Sequence, residues 1–232
     1  MHKILKIAKS SLPEDHFLPV KRQIRAWRKA SKRMNWPIGE AEFKRIPSPP
    51  RLTQADRRSG YTGVLLSFGF GQAAINRAEA VYSGKLAWQY ALRKWFTKTW
   101  QCRYIDFDKP DHMRLRPGAS PRPGGFYFAK IKLGESYVKW TVSRYLKQLG
   151  DGETGCGPEG IQMLTITHPH IPVLMNRREI PFMAFADYDV APYGFNDFFD
   201  ALQMFCSNGT LGLGIGNVDR NYPLFGIPTL RF

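Results

Sequence analysis

Residues 179–216, EIPFMAFADYDVAPYGFNDFFDALQMFCSNGTLGLGIG, carry the strongest fold signal in the chain. The apolar run at 180–186 predicts a buried strand, and 210–216 predicts a second strand. Between them, apolar residues recur at 195, 198, 199, 202, 205 and 206, which is the spacing of one helix face. Asn208–Gly209 is typical of a helix end. The stretch therefore predicts a strand–helix–strand unit, which describes packing and not function.

Outside this unit, apolar and alternating runs predict further strands at 61–68, 126–133 and 161–167. Helical patterns separate several of them. We therefore expect an α+β fold with a mixed or antiparallel sheet and packed helices, preceded by a basic helical N-terminal arm. Pro47, Pro49 and Pro50 favour an extended linker. We accordingly expect a basic helical arm and proline-rich linker over 1–60 and a single α+β globular domain over 61–232.

The segment 20–34 has the pattern of a basic helix. Val20, Ile24, Trp27 and Met34 form a narrow apolar stripe, and Pro19 suits a first turn. The remaining surface of the helix is rich in cations: Lys21, Arg22, Arg25, Arg28, Lys29, Lys32 and Arg33. The helix is predicted either to lie on nucleic acid or an anionic membrane, or to be a solvated surface helix docked by Trp27.

Charge is unevenly distributed around a formal net charge of +15. Residues 1–60 contain 15 Lys and Arg against 5 Asp and Glu, and residues 61–150 contain the same numbers. Residues 151–232 contain 4 against 9. The first two segments are each +10 and the last is −5, so the first two-thirds are expected to attract a polyanion.

A second candidate for phosphate contact is the loop 109–125, which contains four prolines. Arg114, Arg116 and Arg122 lie within it. A proline-stiffened loop presents guanidinium groups at low entropic cost, which suits phosphate binding. The alternative is a long solvated loop.

His168 and His170 follow the strand predicted at 161–167, and Asp187 and Asp189 follow the next apolar strand. Such a His/Asp group could hold a metal ion that activates water for hydrolysis. The connection between the two strands favours antiparallel pairing, however, which would place the carboxylates at the far end from the histidines. The metal site therefore ranks below phosphate binding.

The glycines at 69 and 71 follow a predicted strand and precede a helical pattern, as in a dinucleotide-binding loop. The acidic strand end that such a unit needs about 20 residues later is missing, because that region is basic and helix-like. We expect a packing turn here and assign no cofactor-binding residue.

Several classes of protein are not expected. Three cysteines without a CxxC pair do not indicate a disulfide framework or a cysteine zinc site. Lysines interrupt the N-terminus where a signal peptide needs an apolar core, and no apolar run approaches the roughly 20 residues of a membrane span. We expect a cytoplasmic protein. Phosphate-loop, zincin and hydrolase motifs are also missing.

Three functions remain from the sequence. The first is a basic nucleic-acid-binding protein that makes mainly phosphate contacts, to RNA or DNA. The second is a metal-dependent hydrolase or nuclease that uses the His/Asp group. The third is a structural or assembly protein whose basic arm contacts a partner. Charge and its distribution favour the first.

Overall fold

The structure is a computed structural model that describes residues 17–70, 77–94, 98–108, 112–117, 119, 122–191 and 198–232. Its α-helices are α1 (Val20–Met34), α2 (Glu40–Lys44), α3 (Gln54–Arg58), α4 (Arg77–Lys94), α5 (Val142–Leu146), α6 (Pro158–Gln162) and α7 (Ile171–Asn176). A 3₁₀ turn occupies Glu135–Tyr137, and a π-helical turn occupies Met163–Thr167. The predicted helix at 20–34 is confirmed as α1.

The strands are β1 (Gly63–Gly69), β2 (Thr99–Gln101), β3 (Met113–Leu115), β4 (Gly125–Lys132), β5 (Glu153–Gly155), β6 (Phe182–Val190), β7 (Asp200–Ser207), β8 (Thr210–Asn217), β9 (Phe225–Gly226) and β10 (Thr229–Arg231). They form two sheets with packed helices. The expected α+β class with antiparallel and mixed sheets is confirmed.

The smaller sheet is antiparallel throughout and has the strand order β1-β4-β10-β5. The long β1–β4 pairing runs from Gly63 opposite Ile131 to Gly69 opposite Gly125. The strands predicted at 61–68 and 126–133 are thus confirmed within two residues. β1 lies at the edge of this sheet, and its outer side faces α1.

The larger sheet has the order β2-β8-β7-β6-β3, with β9 added parallel to β6. β6, β7 and β8 are successive antiparallel strands, so the predicted strand–helix–strand unit is wrong in its middle element. Asn208 and Gly209 both have positive φ, 49° and 72°. They form the tight β7–β8 turn, for which Asn-Gly is a preferred pair, instead of ending a helix. Phe199, expected on a buried helix face, is 57% exposed.

The predicted strand at 161–167 is also wrong, because these residues continue helically from α6 through the π-helical turn. The whole turn is buried, so its apolar residues need no alternation to reach the core. The Thr165 hydroxyl donates to the carbonyl of Ile161 at 2.6 Å, an interaction available to threonine in a helix.

A bulge interrupts β6 and redirects its middle. Phe185 and Asp189 pair with consecutive residues of β7, so the three residues between them lie outside the regular ladder. Asp187, in the centre of the bulge, exchanges backbone hydrogen bonds with other segments: its N–H donates to Cys156 and its carbonyl accepts from Arg116. The bulge thereby places the Asp187 side chain toward the chain around β5.

The segment 37–60, expected as a linker, contains α2 and α3. Trp27 of α1 belongs to the same apolar cluster as Phe68 and Phe126 of the smaller sheet. The division of the chain near residue 60 stays a prediction. Across the described ranges, no helix is both long and apolar enough to cross a membrane.

Candidate nucleic-acid interface

Helix α1 begins after Pro19, whose φ of −52° suits a helix start, and ends at Asn35, which has the left-handed φ of 52°. Lys32 and Arg33 lie in its last turn, where positive charge complements the helix dipole. No acidic residue offsets Lys21 and Arg22 in the first turn. The charge of α1 therefore favours the helix at its C-terminal end but not at its N-terminal end.

The inner face of α1 is bonded to the outer edge of β1. The Gln23 amide donates to the carbonyl of Val64 and accepts from the N–H of Leu66, both at 2.8 Å. The Trp27 indole donates to the carbonyl of Leu66 at 3.0 Å. Buried backbone groups at a sheet edge require such partners. These side chains therefore fix the rotation of α1 about its own axis.

The outer face of α1 carries the cations that the sequence predicted for binding. All are exposed: Lys21, Arg22, Arg25, Arg28, Lys29, Lys32 and Arg33. Arg28 pairs with Glu40 at 3.0 Å in an ion pair that is itself exposed, and Arg33 donates to the carbonyl of Arg93 at 3.0 Å. The other five form no ion pair with any residue that the structure describes.

Beside the N-terminal end of α1 lies an open groove of about 530 Å³. Gln23 lines one part of it, and Arg51 and Arg57 line another. Both arginines are exposed. They extend the positive surface beyond the helix, and the sequence prediction missed them because 37–60 was interpreted as a linker.

The three arginines predicted on the loop 109–125 have different surroundings. Arg122 is only 2% exposed and contacts Glu159 and Asp187, each at 2.8 Å. Arg116 pairs with Asp189 at 2.6 Å. Arg114 stacks its guanidinium 3.6 Å from the centre of the Phe198 ring and is half-buried. The structure thus places Arg122 in the interior and not on a surface that phosphate could reach.

Further hydrogen bonds complete the surroundings of Arg122. Tyr127 donates to Glu159 at 2.7 Å, and Thr154 donates to Asp187 at 2.7 Å. Burial by itself would raise the pKa of Glu159, yet the charge and hydrogen bond of Arg122 hold that pKa below its usual value. The cluster is therefore an internal ion-pair network, in which each carboxylate has both a cation and a hydroxyl partner.

The predicted metal ligands lie in two separate environments. His168 and His170 are buried beside each other with ring centres 5.8 Å apart, and burial followed by the neighbouring His170 lowers the pKa of His168 well below its usual value. Asp187 and Asp189 are engaged by arginines. Over the part of the chain that the structure describes, no group of three or more His, Cys, Asp or Glu could hold a metal ion.

Of the glycine loop considered for a dinucleotide, Gly69 ends β1, whereas residues 71–76 lie outside the described residues. Gly69 lines a cavity of about 580 Å³ with Phe68, Phe70 and Phe126 among its walls. Its walls combine aromatic rings and glycines with one cation and one carboxylate, Arg45 and Glu42, and do not by themselves indicate a cofactor.

Comparison with known proteins gives no significant match to a protein-family model, a curated protein or a solved structure. Function has therefore to be inferred from the residues and their arrangement alone.

Proposed function

We propose that this protein binds nucleic acid, RNA or DNA, through phosphate contacts made by the outer face of α1. The observation that supports the proposal most is the combination of a fixed inner face with an exposed outer face that is entirely basic. Gln23 and Trp27 hold the helix in one rotation, so the cations project from a rigid support. Preorganised cations lose less conformational entropy when they bind a phosphate backbone.

A second observation that supports the proposal is that the cations destabilise the helix that carries them. Like charges four residues apart on a helix repel, and α1 contains such pairs at Lys21–Arg25, Arg25–Lys29, Arg28–Lys32 and Lys29–Arg33. Each pair destabilises an isolated helix by about 0.2–0.5 kcal/mol. A helix selected only for packing would place glutamates among these positions. Binding to a polyanion relieves the repulsion.

Charge pairing inside the fold engages many cations of the described residues but leaves most of those on α1 free. Many acidic residues of the last third are partners of cations inside the fold, such as Glu153 with Lys132 at 2.7 Å and Asp189 with Arg116. The cations of the middle third are partly used in this way, whereas most of those on α1 are not. The groove containing Arg51 and Arg57 continues the same surface.

The proposal is tested by fluorescence anisotropy with a labelled duplex and a labelled single strand over a salt series. The variant Arg25→Gln/Lys29→Gln removes two exposed cations from α1. We expect weaker binding and a shallower salt dependence. The slope should fall by roughly 0.9 for each duplex phosphate that the variant no longer neutralises, or by about 0.7 on a single strand.

The matched control is Arg144→Gln/Lys147→Gln, which removes two exposed cations at and after α5. Its slope should equal that of the unmodified protein. Equal reductions in the two double variants would show that overall charge, and not the face of α1, determines binding. No binding by the unmodified protein at low salt would refute the proposal.

A further inference from the structure

A row of aromatic rings lies on the face of the larger sheet that Phe205 shares with its cross-strand neighbours. Trp100 of β2 is 49% exposed, and its ring centre is 5.8 Å from that of Phe205 in β7. Phe205 is in turn 5.8 Å from Phe182 of β6. The three rings come from three strands and form a continuous aromatic row, defined here as Trp100, Phe205 and Phe182.

The backbone beneath the row is smooth because β8 has glycines at alternate positions. A Cβ atom added at Gly212 would collide with the Phe205 ring, and one added at Gly214 would lie 3.5 Å from Trp100 and 3.6 Å from Phe205. The two rings therefore lie against the backbone of β8. The accessible part of each ring is the side turned away from the sheet.

Cations flank this row at both ends. Arg178 is exposed and lies 4.5 Å above the centre of the Phe182 ring. Lys98 is exposed two residues before Trp100. Glu179, beside Arg178 in the chain, is within 3.6 Å of Arg177. Phe182 is only 6% exposed and supports the row from within, so the accessible π-faces are those of Trp100 and the half-buried Phe205. Accessible rings beside positive charge are complementary to bases joined by phosphates.

We propose that the aromatic row is a stacking platform for the bases of single-stranded nucleic acid. This inference rests on the proposed function and specifies the form of nucleic acid that the protein binds. Base–aromatic stacking requires unpaired bases whose faces are open, which a duplex does not offer. Gln203 lies two residues before Phe205 on the same face of β7 but is only 6% exposed, so stacking outweighs recognition of base edges and would tolerate different bases.

The platform and α1 are connected by a short path. Arg33 at the end of α1 donates to the carbonyl of Arg93 near the end of α4, at 3.0 Å. Lys98 follows Arg93 by five residues, and an extended chain of that length spans at most about 18 Å. This distance equals only a few nucleotides of an extended strand. The proposal therefore has one strand place bases on the row and phosphates on the cations near the end of α1.

The test compares Trp100→Leu with Trp100→Phe. Leucine keeps an apolar side chain on the sheet but removes the π-face, whereas phenylalanine keeps the face. The probes are oligothymidylate, oligouridylate, an abasic oligomer and a duplex, all of equal length. We expect Trp100→Leu to weaken binding to the two base-containing single strands by about 5- to 150-fold. Binding to the abasic oligomer and the duplex should not change.

Trp100→Phe should retain most of the affinity. The control Phe232→Leu alters an aromatic ring of similar exposure, 46%, on the smaller sheet and should bind like the unmodified protein. A larger reduction for oligothymidylate than for oligouridylate, or the reverse, would identify the preferred sugar and base while supporting the platform.

The outcomes separate the two proposals. Undiminished single-strand binding by Trp100→Leu, with weakened binding by Arg25→Gln/Lys29→Gln, overturns the platform and leaves the proposed function. Weakened binding by Trp100→Leu alone supports the platform and overturns the role of α1. If the unmodified protein binds no probe, both fail. If Trp100→Leu changes only self-association in sedimentation, the row is a protein interface and the platform is refuted.

Discussion

Arg122 and Arg25 belong to equally basic parts of the sequence, but their surroundings are opposite. Arg122 is buried between Glu159 and Asp187, and Arg25 projects from α1 into solvent. Arg122 is the counterion of two buried carboxylates, whereas Arg25 is free to pair with an anion outside the protein. The comparison teaches that charge counted along a sequence differs from charge available at the surface, because pairing inside the fold removes part of it.

Internal pairing also changes what the net charge of the acidic last third, residues 151–232, implies. Its net charge of −5 suggests a region that repels nucleic acid. Several of its carboxylates are, however, neutralised by cations from the middle of the chain, including Lys132 at Glu153 and Arg122 at Glu159. The acidic last third therefore carries less free negative charge than its sequence suggests.

The largest expected effect is that of breaking the internal cluster. Arg122→Met should destabilise the protein by about 3–5 kcal/mol, because it leaves two buried carboxylates without their cation. Urea denaturation gives this free energy of unfolding directly.

The corresponding change on the exposed side is Arg25→Met, which loses no buried partner, relieves the like-charge pairs with Lys21 and Lys29, and should stay within about 1 kcal/mol of the unmodified protein. If the two variants lose equal stability, the buried Arg122 does not contribute more to stability than the exposed Arg25, which would contradict the structure.

The next largest effect concerns the attachment of α1. Gln23→Leu should cost about 2–4 kcal/mol, because the carbonyl of Val64 and the N–H of Leu66 lose their buried partner. Chemical denaturation measures this cost, and amide hydrogen exchange at Leu66 should become faster.

Arg22→Leu is the control for Gln23→Leu, because its side chain is adjacent in sequence and exposed. Its stability should be nearly unchanged. Equal protection of the Leu66 amide in both variants would mean that another group, and not Gln23, covers the edge of β1.

A smaller effect is expected from pH. The hydrogen bond from Lys130, with those from the Thr53 backbone and hydroxyl, lowers the pKa of Asp56 from 3.8 to about 2. Because the folded pKa is below the unfolded one, the stabilisation is complete above pH 3.8 and is lost as pH falls through 2.

Urea midpoints measured between neutral and acidic pH should show this decrease in the unmodified protein. In Asp56→Asn the urea midpoint should fall less as the pH decreases, since asparagine does not titrate. If the midpoints of the two proteins fall equally as the pH decreases, other carboxylates cause the acid sensitivity. Glu159 is the first of these to test.

The smallest expected effect has the opposite sign. Arg25→Gln removes the like-charge pairs with Lys21 and Lys29 and should stabilise the protein by about 0.2–0.5 kcal/mol per pair. The same variant should bind nucleic acid more weakly. A melting temperature that rises while affinity falls would separate the role of this cation in binding from its role in folding, whereas a fall in both would make Arg25 structural.

The sequence was sufficient to predict α1, β1 and β4, because in each a long segment of apolar residues follows helical spacing, a continuous run or alternation. It was insufficient for β7, where an apolar pattern at helical spacing also fits a half-buried strand and Asn208–Gly209 is compatible with a helix end or a hairpin. Pairing with β6 and β8 makes the segment a strand and not a helix. That pairing is a long-range property which local spacing does not contain.

Only part of the candidate site was predictable from the sequence, again because local spacing does not contain long-range contacts. The basic residues of α1 could be identified because one helix carries them all. The position of Arg122 could not, since its partners are 37 and 65 residues away in the sequence. Arg51 and Arg57 were missed because their groove forms only when their segment packs beside α1.

The covered edge of β1 has a consequence for biosynthesis. Gln23 and Trp27 precede β1 in the chain, so the side chains that cover Val64 and Leu66 have already left the ribosome when the strand emerges. The backbone of Phe68 is covered instead by the amide of Gln162, 94 residues later. Throughout synthesis of that interval, one end of the strand lacks this cover and can pair with a neighbouring nascent chain. Aggregation during translation, more than loss of stability after it, is where a defect in Gln162 would first become visible.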